Sequence, residues 1–276
     1  MVINQNNQLY TQLNNGNSMP LLGLGTYNMF GEVVTNAVHV ALETGYRLID
    51  GAQMYQNEKE VGEGIRRSGI PRDEIFITTK IDNCNQGYDE TIRSYEQSLK
   101  DLGVEKVDLL LIHWPIKGKR EATWKALEKL YVDQRVGAIG TGNYLLPFLQ
   151  ELETYSSYTP TVNQIEFNPF LNLTAELDYC QKHDICLQCY TPLMRGQKHD
   201  DSRIVDVAKK YGKTPAQIIL RWAVQQEIST IPKSENPVRI KENFDIFNFE
   251  LSETDLHILN NLNENFRIVD DPIDML

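Results

Sequence analysis

From Gly23 to Ser229 the chain alternates short apolar runs with longer stretches whose apolar residues recur every three or four positions. Eight runs stand out: 21–26 (LLGLGT), 46–50 (YRLID), 74–80 (EIFITTK), 106–113 (KVDLLLIH), 135–140 (RVGAIG), 161–166 (TVNQIE), 185–190 (ICLQCY) and 228–232 (ISTIP). Runs with little polar alternation fit strands covered on both faces, as in a parallel sheet whose crossovers are helices. Eight such units close into a barrel, and about 250 residues suffice for one. The pattern predicts an α/β fold, a (β/α)₈ TIM barrel, spanning residues 1–276 as a single domain.

The stretches between the runs read as helices. Val34, Ala37, Val38, Ala41 and Leu42 share one helical face, and Gly45 supplies a stop; Ile92, Tyr95, Leu99 and Leu102 form a second stripe ending at Gly103. Thr214-Pro215-Ala216-Gln217 has the makings of a capping box ahead of Ile218, Ile219 and Trp222. Two pieces fall outside the eight units. LYTQL and SMPLL, separated by Asn14-Asn15-Gly16-Asn17, predict an N-terminal β-hairpin placed to plug the barrel floor, and two additional C-terminal helices are expected at about 237–246 and 252–262.

Composition narrows the partners. A net charge of −11 argues against a nucleic-acid surface, so any anionic ligand needs a local basic cluster. No apolar run is long enough to cross a bilayer, and the first residues lack the pattern of a secretory leader, which makes a cytoplasmic protein, more simply a monomer than an obligate oligomer, the expectation. Cys186 and Cys189 form a CxxC spacing, but residues three apart on a strand face opposite sides, so these thiols are expected to diverge. No metal site is expected.

The chemistry gathers at strand ends. Asp50, Lys80 and His113 each close an apolar run, 30 and 33 residues apart, which is one βα unit each and sets them side by side on the C-terminal rim. Tyr55 follows in the loop after Asp50. A tyrosine hydroxyl is a poor acid near neutral pH unless a nearby cation favours its phenolate; Lys80 is placed to be that cation, and Asp50 to keep Lys80 charged. His113 offers a donor to a substrate oxygen. The set has a proton donor and no nucleophile. Taken singly, each of these residues has a duller reading as a structural ion pair, a hydrogen-bonded core histidine or a surface tyrosine.

The strings RLIDGAQMYQNE, FITTK, LLLIHWP, VNQIEFNP and IPKS, followed by Arg239 and Asn243, together resemble the aldo-keto reductase superfamily, in order from Leu22 to Asn243, and most resemble its short-loop bacterial members, the diketogluconate and glyoxal reductases. That resemblance implies Tyr55 as general acid, Asp50 and Lys80 as its tuning pair, and His113 orienting the carbonyl, with reduction of a carbonyl rather than of a conjugated double bond. It also implies NADPH/NADP+ as cofactor. Asn143 and Gln164 would bond the carboxamide, Tyr190 would stack on the nicotinamide, and Thr26 would touch its ribose. Lys233, Ser234 and Arg239 would receive the 2′-phosphate, with Glu242 and Asn243 near the adenine. Two positions depart from the family's pattern. Gly142 stands where serine precedes the asparagine, implying one lost hydroxyl contact and looser nicotinamide placement, and Asn168 stands where histidine precedes the proline.

The segments after His113 and Tyr190 and the C-terminal tail are brief, which predicts a shallow, open pocket lined by Tyr27 and Trp114, with Phe30, Met54 and Cys84 around them, suited to small aldehydes, ketones or keto-sugars. Two other classes remain. The same fold serves as a cofactor-bound regulatory subunit with little turnover, against which the short loops count. A barrel isomerase with a phosphate site would need a Gly-rich loop after the seventh strand, and none is present.

Overall fold

The computed structural model describes residues 2–3 and 8–275. A small antiparallel sheet comes first: β1 (Val2–Ile3), β2 (Leu9–Gln12) and β3 (Ser18–Pro20), of which β1 was not foreseen in the sequence. Eight parallel strands follow: β4 (Leu24–Gly25), β5 (Leu48–Asp50), β6 (Phe76–Ile81), β7 (Leu109–Ile112), β8 (Ile139–Gly142), β9 (Val162–Glu166), β10 (Cys186–Tyr190) and β11 (Ser229–Thr230). They pair in sequence order, and the first and last meet through the bridges Leu22–Thr230 and Gly25–Lys233, so the barrel closes.

Among the described residues ten α-helices surround it: α1 (Glu32–Thr44), α2 (Glu58–Ser68), α3 (Tyr88–Leu102), α4 (Arg120–Val132), α5 (Leu146–Glu153), α6 (Thr174–Lys182), α7 (Ser202–Tyr211), α8 (Pro215–Gln225), α9 (Pro237–Phe244) and α10 (Glu253–Asn260). The last two are the C-terminal additions, about two and three residues shorter than the sequence pattern suggests. The capping box of α8 is formed in both directions, Thr214 Oγ1 accepting from Gln217 N and Gln217 Oε1 from Thr214 N. No described helix is long and apolar enough to cross a membrane.

Because strand side chains alternate, each barrel strand divides its residues between two cores. Ile49, Ile77, Ile81, Leu110, Ile112, Ile139, Ile165, Leu187 and Cys189 point outward into one cluster with the helices. Leu48, Phe76, Leu109, Leu111, Ala138, Val162 and Ile231 point inward and fill the lower barrel, where Leu13 and Met19 of the hairpin join them. The hairpin does plug the floor: Asn15 Nδ2 and Asn17 Nδ2 donate to Gly137 O at 3.0 and 2.9 Å, and Asn14 Nδ2 to Pro160 O at 3.0 Å. Cys186 packs toward the inner cluster and Cys189 lies in the outer one, so the thiols diverge.

No strand keeps the full bounds of its run, and β4, β7, β8 and β11 depart from them most. The run at 106–113 pairs only over Leu109–Ile112, and that at 135–140 only over Ile139–Gly142. Earlier residues reach a neighbour by single bonds, Asp108 N to Ile77 O at 2.9 Å and Gly137 N to Val107 O at 3.1 Å. The carbonyl of Gly137 that would extend the ladder is taken by the hairpin asparagines.

Candidate active site

The inward parity that fills the lower barrel also builds the site above it. Two residues beyond Leu48 comes Asp50, four beyond Phe76 comes Lys80, two beyond Leu111 comes His113, two beyond Val162 comes Gln164, and two beyond Ile231 comes Lys233. Lys80 is the penultimate residue of β6 and His113 lies just past β7, so inward parity, more than terminal position, brings them together. Between the apolar and reactive layers runs a polar tier in which Gln164 Nε2 donates to Asp50 Oδ2 and Gln188 Oε1, both at 2.7 Å, and Gln188 Nε2 to Ser229 Oγ at 3.0 Å.

Lys80 is fully buried and its ammonium is satisfied on three sides: by Asp50 Oδ1 at 2.5 Å, Gly51 O at 2.8 Å and Tyr55 Oη at 3.3 Å. Burial pulls the Lys80 pKa down, against the opposing pull of the Asp50 carboxylate, and burial pushes Asp50 up, against the attraction of Lys80. Removing either partner would strand a charge in the interior. Tyr55 sits on the short 3₁₀ turn Gln53–Tyr55, which Gln53 pins by accepting from Asp82 N at 2.9 Å and donating to Ser98 Oγ at 3.0 Å. Its phenol is held well above the ordinary tyrosine range, by burial first and then by the negative charge of Asp50. The sequence suggests that Lys80 shifts Tyr55 toward phenolate; in the folded site desolvation outweighs that, and the hydroxyl keeps its proton. Since Lys80 donates to Oη, the proton is left to point elsewhere.

His113 is pushed well below the usual histidine range by burial and by Lys80, so the ring is neutral. Among the described residues its Nδ1 is buried without a partner, which leaves Nε2 as the nitrogen offered to the cavity. The His113 and Tyr55 rings meet edge to face with centroids 5.7 Å apart, and Tyr27 meets Tyr55 in the same way at 5.2 Å.

Asp50, Tyr55, His113 and Tyr27 line a cavity of about 560 Å³ together with Met54, Trp114, Asn143, Gln164, Tyr190, Leu193, Arg195, Lys233 and Val269. Tyr27, Trp114 and Met54 thus stand where the sequence places them, whereas Phe30 and Cys84 do not form its wall. Phe30 is 60% exposed, and Cys84 sits on the turn Asn83–Asn85. Nor is the cavity open on every side, because Leu193 and Arg195 from the loop after β10 and Val269 from the C-terminal segment add walls. Sequence reading passed over these three, which carry no chemical signature of their own.

The residues assigned to a cofactor divide into two groups. Asn143, in left-handed backbone at φ 64°, turns its amide toward the rim, donating to His113 O at 2.9 Å and accepting from Tyr190 Oη at 2.6 Å. Gln164 spends both amide hydrogens on Asp50 and Gln188, leaving Oε1 as an acceptor at the cavity wall. Thr26 is buried and spends its hydroxyl on Asp50 O at 2.8 Å. The second group lies on and before α9. Lys233 and Arg239 are exposed, Ser234 and Asn243 buried, and Glu242 accepts from Thr214 Oγ1 at 2.8 Å, so its carboxylate is already engaged. The Arg239 guanidinium has no ion pair among the described residues, while its backbone N–H is capped by Asn236 at 3.3 Å. Between the groups, Thr191, Met194, Arg195 and Lys198 all have φ from 48° to 64°. Strained loops of this kind concentrate at ligand-gripping sites, and turned backbone N–H groups suit phosphate. A carboxamide acceptor, an aromatic face at Tyr190, a turned loop and an unpaired guanidinium fit a nicotinamide dinucleotide phosphate.

Comparison with known proteins agrees with this arrangement. The profile of the Aldo/keto reductase family matches residues 21–264. The glyoxal reductase of Bacillus subtilis is 44% identical over 266 residues, covering 96% of each chain. Among solved structures, an aldo-keto reductase from a Medee basin deep-sea metagenome library superposes with a TM-score of 0.92 at 42% identity, over 95% of this chain and 97% of that one. A mutant of Gox0644 in complex with NADPH gives 0.92 at 37% identity, over 96% and 98%. With inward-facing Asp50, Lys80 and His113 around Tyr55 at the rim of a closed (β/α)₈ barrel, and with these likenesses along nearly its whole length, the chain belongs to the aldo/keto reductase family.

Proposed function

We propose that this enzyme reduces the carbonyl group of small aldehydes and ketones, keto-sugars among them, with NADPH, and that Tyr55 is the general acid. The observation that carries the reading is the Lys80 ammonium held between the Asp50 carboxylate and the Tyr55 hydroxyl at 2.5 and 3.3 Å. Bound NADPH supplies a hydride, and with it two electrons, to the carbonyl carbon. Tyr55 Oη gives its proton to the carbonyl oxygen as charge develops there, and Lys80, donating to Oη, steadies the phenolate left behind. Neutral His113 donates from Nε2 to the same oxygen and so holds it near Oη. Solvent then returns a proton to Tyr55.

The Gox0644 mutant was solved with NADPH, a relative from Bacillus subtilis is named a glyoxal reductase and one from Pseudomonas putida a morphine 6-dehydrogenase; these support the cofactor and the reaction class, and their differing names leave cavity shape to decide the substrate. Lys233, Arg239 and the loop at 191–198 would hold the cofactor's phosphates, Tyr190 its ring, and Gln164 its carboxamide.

Purified protein mixed with NADPH and a panel of aldehydes, ketones and keto-sugars should consume NADPH, and Tyr55→Phe should lower kcat by about 10²–10⁴-fold with cofactor affinity retained. Tight NADPH binding with no turnover above that variant would instead favour a regulatory, cofactor-sensing role.

A further inference from the structure

Glu166 is one of the buried carboxylates that take no part in the chemistry above. Glu166 ends β9 two residues beyond Gln164, pairs across the sheet with Tyr190, and is 1% exposed. Its two oxygens each accept a backbone N–H from the C-terminal segment: Oε1 from Ile268 at 2.7 Å and Oε2 from Val269 at 3.1 Å. Burial raises its pKa, while those two bonds, and after them the charges of Arg267 and Arg195, pull the other way.

The segment is a strap with little regular structure. Glu264 N and Phe266 N both bond Phe170 O, at 3.1 and 2.9 Å, which fixes the strap where it leaves the helices. Lys198 lies over the rings of Phe170 and Phe266 and pairs with Glu264 at 2.8 Å. At the far end Arg120 donates to Met275 O at 3.2 Å, beside the turn Pro272–Met275. Between these anchors the barrel holds the strap's backbone, among the described residues, only through Glu166. Val269 is a wall of the reactive cavity.

We propose that Glu166 is a positioning residue: its carboxylate clamps the strap at Ile268 and Val269, and the clamped strap sets how bulky a carbonyl compound the cavity admits. A carboxylate is the right group because two consecutive N–H donors need two acceptors and offer none in return. Glutamine retains one acceptor oxygen and turns its amide hydrogens against an N–H. The proposal rests on the reading of this cavity as a carbonyl-reduction site.

The experiment compares wild type with Glu166→Gln and, independently, with Ile268→Pro, which removes one clamped N–H and leaves the carboxylate intact. Hydrogen exchange at the Ile268 and Val269 amides is measured in the NADPH-bound protein, with kcat and KM for methylglyoxal and for a naphthaldehyde. Exchange at these amides should quicken by about tenfold or more in Glu166→Gln, as loss of a charge-assisted hydrogen bond requires. In both variants the kcat/KM preference for the small aldehyde should fall severalfold, mainly through KM for the larger one, while the NADPH Kd read by fluorescence stays within about twofold. Unchanged exchange in Glu166→Gln, or quickened exchange with an unchanged preference in both variants, overturns the proposal. If Glu166→Gln does not fold, Ile268→Pro decides alone. Absence of turnover in wild type would be a failure of the proposed reaction, a different result from active variants with wild-type preference.

Discussion

At the scale of single residues, Gly142 is the position where sequence and structure give different reasons. Read as a missing serine, it implies a lost hydroxyl contact. In the fold, a Cβ at this position would lie 2.7 Å from His113 O and 2.8 Å from Ile112 O, closer than a carbon approaches backbone oxygen. The glycine lets the end of β8 press against the end of β7, and across that seam Asn143 Nδ2 reaches His113 O at 2.9 Å. Gly142→Ser therefore meets backbone, which has little room to give. The cost expected is about 1–3 kcal/mol of stability, together with a lower kcat as His113 is displaced relative to Tyr55. Urea unfolding and steady-state kinetics check this, and a serine variant with wild-type stability and kcat would show that β7 and β8 separate without consequence. The same residue scale explains what the sequence revealed of the site. Asp50, Lys80 and His113 were legible because charged or polar side chains interrupt apolar runs at barrel-unit spacing. Glu166 interrupts such a run too, but its partners, Ile268 and Val269, lie about a hundred positions further on in an irregular segment, and no periodicity announces them.

At the scale of elements, α2 shows how local preference yields to packing. Gly62 and Gly64 sit inside this helix, where alanine would be favoured by about 1 kcal/mol each. Gly62 faces α3: a Cβ there would stand 2.2 Å from Leu102 O and 2.7 Å from its carbonyl carbon. Since the obstacle is backbone, Gly62→Ala is expected to lose about 1–3 kcal/mol from overpacking, leaving it at best no more stable than wild type despite the propensity gain. A measured increase in unfolding free energy would mean that α2 and α3 slide apart freely. The helix also delivers Glu58, buried at its first turn, whose Oε1 accepts from Thr79 Oγ1 at 2.5 Å, one residue before Lys80, so the spacing of α2 from its neighbours bears on the strand that carries Lys80. Element identity was readable from periodicity, because helix stripes and strand runs differ in repeat. Strand limits were not. Whether Gly137 extends β8 depends on the hairpin asparagines that take its carbonyl, residues some 120 positions earlier.

At the scale of the whole molecule, the protein carries a net charge of −11 and must still hold a polyanionic cofactor. Long-range repulsion is screened beyond about 8 Å at physiological ionic strength, so a local cluster suffices. Lys233, partly neutralised by Glu235 at 3.4 Å, precedes α9, and Arg239, unpaired among the described residues, stands in its first turn, where the N-terminal dipole adds to the charge. Only the guanidinium combines full charge with a bidentate grip on phosphate, so it should carry most of the discrimination for a 2′-phosphate. Ligand linkage makes that measurable without turnover. At a hundredfold excess over Kd a ligand that binds only the folded state stabilises it by about 2.7 kcal/mol, which appears as a rise in Tm. In wild type, NADPH should raise Tm more than NADH at equal concentration. In Arg239→Ala the NADPH shift should shrink toward the NADH shift, while the NADH shift itself stays as it was. Equal losses for both cofactors would mean that Arg239 supports the fold of α9 or the shared part of the dinucleotide, and the 2′-phosphate assignment would fall.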